Sequence, residues 1–132
     1  METPYGFSAD VDLPYEQALE RVTAALKTEG FGVLTTIDVQ ATLKAKLDVD
    51  FRRYVILGAC NPPLALRALT AEVEIGLLLP CNVIVYERDG GGSTVSVMNA
   101  SAAMQFTGND ALAPIAEEVT ARLRRALAAA VA

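Results

Sequence analysis

The sequence has no histidine and no tryptophan. Without histidine, neither a Ser-His-Asp triad nor a Cys-His pair can be assembled, and the commonest general base and metal ligand is gone. There are only two cysteines, Cys60 and Cys81, and aromatic residues make up 6% of the chain. Cations are scarce as well: 11 Lys and Arg stand against 16 Asp and Glu, a formal charge of −5. The one dense basic group, Arg122, Arg124 and Arg125, follows Glu117 and Glu118. Glu118 and Arg122 have the i, i+4 spacing of a solvated helix face. Nucleic acid, which is bound through clustered cations, is therefore not an expected partner. Long hydrophobic runs are missing too. Tyr54–Leu57 and Ile75–Leu79 are far too short to span a bilayer, and Met1–Asp10 lacks the basic and apolar regions of a signal peptide. No membrane is expected, and a cytoplasmic location with reduced thiols is.

Apolar residues supply 52% of the 132 positions, which excludes intrinsic disorder and is enough to build a core without a disulfide or metal staple. No low-complexity linker and no repeat of 20 to 50 residues interrupts the chain, so one domain over residues 1–132 is expected. Phe7, Ala9 and Val11 alternate with Ser8, Asp10 and Asp12 as in a half-buried strand. Pro14 fits a first helical turn, apolar residues from Tyr15 to Leu26 recur at helical spacing, and Gly30 supplies the stop. Gly32 to Ile37 reads as a strand, and Asp38 caps a short helix with Val39, Leu43 and Leu47 as its apolar positions. The continuous run Tyr54 to Cys60 predicts a central strand covered on both faces. A helix from Pro62 to about Ala71 follows, then strands Asn82–Glu87 and Ser93–Met98, and a last helix from about Asp110 to Ala129 with Pro114 in its first turn. Helices between the early strands predict crossovers. The expected fold is α+β, a two-layer mixed sheet of about five strands with helices packed on it.

Gly90-Gly91-Gly92 joins two strands and is followed by no helix and no Lys-Ser or Lys-Thr. It reads as a hairpin turn, not a phosphate loop. Two Cys-Asn steps are more distinctive. In Cys60-Asn61-Pro62-Pro63, the residue before proline avoids the α region, which suits a helix N-cap, and proline suits the first helical position. Cys60 then stands beside a helix N-terminus, which favours a thiolate, or ends an apolar strand as a small buried thiol. Pro80-Cys81-Asn82 enters a strand. If the two strand ends are neighbours, both thiols and both amides are expected to converge on one spot.

The segments Tyr54-Val55-Ile56-Leu57-Gly58-Ala59-Cys60-Asn61-Pro62 and Gly76-Leu77-Leu78-Leu79-Pro80-Cys81-Asn82-Val83, with Gly30-Phe31, Ile37-Asp38, Thr42-Leu43 and Lys46-Leu47, resemble the domain-of-unknown-function 302 family over nearly the whole chain. The resemblance implies a small α+β sandwich that forms a homodimer, and carries no mechanism with it.

Three readings follow from the residues. In the first, Cys60, Asn61, Cys81 and Asn82 line a small ligand-binding site, the amides orienting a polar ligand. No metal is assigned, because two thiolates are an incomplete zinc set that Asp38, Glu72, Glu74 or a second subunit would have to complete. In the second, the thiols do redox or sulfur-carrier chemistry, although no Cys-x-x-Cys is present. In the third, the chain is a non-catalytic homodimeric scaffold, with the alanine-rich end Ala126 to Ala132 packing on a copy of itself. The residues name no cofactor and no substrate.

Overall fold

A computed structural model describes residues 2–132. The chain opens with the two-residue strand β1 (Glu2–Thr3), which turns directly into β2 (Gly6–Val11). Helix α1 (Tyr15–Thr28) follows, starting directly after Pro14, and its C-cap Glu29 is followed by Gly30, whose φ is +86°. Then come β3 (Gly32–Asp38), α2 (Val39–Leu47), β4 (Tyr54–Cys60) and α3 (Pro62–Ala71). A 3-10 segment, Val73–Leu78, leads to the hairpin of β5 (Cys81–Glu87) and β6 (Ser93–Met98). Between these strands Gly90, Gly91 and Gly92 all take positive φ, which only glycine adopts freely, as the turn reading requires. A short helix α4 (Ala100–Gln105) and a 3-10 turn Asp110–Leu112 precede α5 (Ala113–Ala130), with Pro114 in its first turn.

The α+β two-layer class holds, and the sheet has six strands in the order β1-β2-β6-β5-β4-β3. Every pair is antiparallel, so the early helices are not crossovers between parallel neighbours. Helix α2 joins β3 to β4, and α3 joins β4 to β5, and in each case the two strands are adjacent and antiparallel. The helices are thus long hairpin connections, which strand-helix-strand order alone does not distinguish from βαβ units.

One hydrophobic core lies between one sheet face and the helices. Ala18, Val22 and Leu26 of α1 and Ile115, Val119, Leu123 and Ala126 of α5 bury against Val55, Leu57, Val83, Val85, Val95 and Val97. Contrary to expectation, β4 is covered along its whole length on one face only. Val55, Leu57 and Ala59 are buried, whereas Tyr54 and Ile56 are half-buried on the other side with Ile84 and Tyr86 of β5. The Tyr54 and Tyr86 rings stack there, 5.4 Å apart and 11° from parallel. Strand β3 is an exposed edge, and no residue of α2 is fully buried. The alanine-rich C-terminus is not free to pack on a copy of itself along its length, because Ala126 and Ala130 belong to the chain's own core.

Candidate functional site

The site begins where β4 gives way to α3. Asn61 has extended backbone, and its Oδ1 accepts from the Leu64 N–H at 3.3 Å, with proline at the start of the helix. Its Nδ2 donates to the Glu29 carbonyl at 3.3 Å, and the Arg122 Nη1 donates to that same oxygen at 3.0 Å. The α1 C-terminus, the α3 N-terminus and α5 are therefore tied at one carbonyl. A Cβ on Gly30 would lie 2.8 Å from Asn61 Nδ2, which explains the glycine before Phe31. The Arg122 group is more than a solvated helix face. Arg122 also bonds Glu118, and Arg125 pairs with Glu29.

Cys81 starts β5 opposite Ala59, so it neighbours Cys60 diagonally across the two strands. Cys60 is half-buried and Cys81 buried, and neither is in a disulfide. Burial, and secondarily the charge of Cys60, push the Cys81 thiol up from 9.0 to about 11. Near neutral pH it is an S–H group, not a nucleophilic thiolate.

Cys60, Asn61 and Cys81 line a cavity of about 340 Å³ beneath α3. Its other walls are apolar, including Phe31, Leu64, Ala68, Met104 and Val119, and it contains no Asp, Glu, Lys or Arg. The lining residues come from α4, α5 and the 3-10 segment as well as from the two Cys-Asn steps. Those additional walls carry no motif. Only the periodicity of α5, which turns Ile115 and Val119 inward, pointed at any of them.

Three of the four expected site residues thus meet, and Asn82 does not. Side chains alternate along a strand, so Cys81, Val83 and Val85 face the core while Asn82 is exposed on the opposite sheet face. The apolar pattern Val83, Val85 already contained this information. Asn61 also has a structural part, since its oxygen caps a helix and its nitrogen holds Glu29. Of the carboxylates considered as completing ligands, two are engaged elsewhere and Glu74 is exposed outside the cavity lining. Asp38 caps α2 through the Ala41 N–H, and Glu72 accepts from Asn109. Among the described residues no three Cys, Asp or Glu side chains gather as a metal set.

Asn82 lines a second, wider groove of about 920 Å³ on the open sheet face. Tyr5, Tyr54, Tyr86, Asn99 and Phe106 contribute to it, and again no Asp, Glu, Lys or Arg does. No helix among the described residues is long and apolar enough to cross a membrane.

A six-stranded antiparallel sheet, helices on one face and an apolar pocket lined in part by both cysteines define an α+β domain. The chain belongs to the DUF302 family: the family described as "Domain of unknown function DUF302" matches residues 7–130. A crystal structure of an uncharacterized conserved DUF302 protein from Bacillus stearothermophilus is similar to it, with 32% identity and a TM-score of 0.86. That similarity covers 93% of this chain and 95% of the other. No curated protein matches.

Proposed function

We propose that this chain is a one-domain cytoplasmic binding module for a small, uncharged, mostly apolar molecule held beside Cys60, Asn61 and Cys81. The observation that carries this reading is the cavity of about 340 Å³ with no ionised side chain in its wall. Ligand pockets run from roughly 300 to 1,000 Å³ and are mostly apolar with few polar groups. The two free thiols suit a reducing compartment. A ligand here contacts sulfur and hydrocarbon, and a thiolate mechanism is disfavoured by the raised Cys81 thiol. Ala65 lines the cavity from α3, so Ala65→Phe fills it. Calorimetric titration with 1-hexanol is expected to show binding to the natural chain, weakened more than tenfold, about 1.4 kcal/mol, in the variant. Equal heats for both, or none for either, would remove the basis of this reading.

A second reading is favoured by the open sheet face. Tyr54, Ile56, Ile84 and Tyr86 are only half-buried there, and the groove beside them has no charged lining although the chain carries a charge of −5. Two like-charged copies meet most easily through an uncharged face. We infer a homodimer formed through it. Sedimentation at micromolar concentration is expected to give the dimer mass, and Ile84→Asp the monomer mass. A natural chain that sediments as a monomer counts against this reading.

A further inference from the structure

Five exposed aliphatic residues lie in the cavity wall or close along the chain to residues that line it. Leu34 and Leu69 line it and also reach solvent. Leu34 owes its place to a β-bulge: the β3–β4 register shifts between Val33 and Thr35, leaving Leu34 without a strand partner. Bulges re-aim side chains in this way. Leu66, 67% exposed, precedes Leu69 by one helical turn, and Leu77, 84% exposed, follows the lining residue Gly76. Val73 stands at the start of the same 3-10 segment and is also exposed. The apolar surface therefore does not stop at the cavity mouth but continues outward as a collar. Contiguous exposed apolar surface of this kind marks a contact site.

A compact ring system that fits the cavity leaves this collar in water. A chain that fills the cavity and runs out over it does not. The cavity wall offers an anionic end no cation, since no Lys or Arg lines it. Arg67 on α3 and Arg122 on α5 are both already paired with Glu118. We infer that the ligand is an unbranched aliphatic chain with an uncharged end such as a hydroxyl, longer than the cavity, its outer methylenes lying on Leu66 and Leu77. This rests on the binding-module reading and names its ligand class.

The test titrates the full chain with 1-hexanol, 1-octanol and 1-decanol, and with decanoate. Each added methylene removed from water is expected to tighten binding about fourfold. Leu66→Ser/Leu77→Ser, at positions outside the cavity wall, is expected to leave hexanol affinity unchanged and to weaken decanol at least about tenfold. Decanoate is expected to bind more weakly than decanol. Affinity that is flat beyond hexanol, decanol binding untouched by the double variant, or decanoate binding as tightly as decanol overturns the inference while leaving the binding module standing. A double variant whose sedimentation mass changes while its decanol affinity does not also overturns it, because the collar is then a contact between copies. Absence of binding by every alkanol, hexanol included, instead removes the binding-module reading itself and this inference with it.

Discussion

Asn61→Leu is expected to lower the unfolding free energy by about 2–4 kcal/mol, as measured by urea denaturation near neutral pH. Two losses add. The Leu64 N–H at the α3 N-terminus is buried and has the Asn61 Oδ1 as its partner. Losing the cap leaves that buried donor orphaned, at about 1–3 kcal/mol. The bond from Asn61 Nδ2 to the Glu29 carbonyl goes as well, at about 1 kcal/mol, although that oxygen keeps the Arg122 donor. Asn61→Ser separates the two roles. Its hydroxyl can still cap the helix, so only the tie to Glu29 is lost, at about 1 kcal/mol. If Asn61→Leu costs less than Asn61→Ser, the capping account is wrong.

That asparagine also shows what was legible in the sequence. Its role follows from its two neighbours, since a residue before proline has extended backbone and an asparagine there caps the helix that the proline starts. Local rules of this kind located the Asn61 cap, the Gly90–Gly92 turn and the apolar stripe of α5. Strand direction is not local. The helices α2 and α3 return the chain to neighbouring antiparallel strands, and nothing in their residues separates this from a crossover. The run Tyr54–Cys60 was misleading for a related reason: the open face of β4 carries Tyr54 and Ile56, which look like core residues and are only half-buried. Adjacency in sequence groups Asn82 with Cys81, whereas alternation sends adjacent strand residues to opposite faces. The cavity itself was out of reach. Its walls come from six elements and the bulge at Leu34, and a void is a property of their packing rather than of any motif.

Above pH 9 the chain is expected to lose about 3 kcal/mol of stability through Cys81 alone. The thiol sits in the cavity wall at 5% exposure, and burial first, then the charge of Cys60, raises it from 9.0 to about 11. Below pH 9 both the folded and the unfolded chain hold the proton, so this group's contribution is fully present. As pH rises from 9 towards 11, the unfolded chain ionises and the folded one does not, which favours unfolding by about 1.4 kcal/mol for each pH unit. Above about 11 both forms are ionised and the loss is complete. Tyrosines and lysines titrate in the same range, so the quantity to measure is the stability of the natural chain minus that of Cys81→Ala, in urea with a reductant, at pH 7, 9 and 11. Near neutral pH the natural chain is expected to be the more stable, because alanine leaves part of the Cys81 site unfilled. That advantage is expected to shrink or reverse by pH 11. A difference that stays constant across the three pH values would mean that the thiol reaches water, and the cavity wall at Cys81 would then be open.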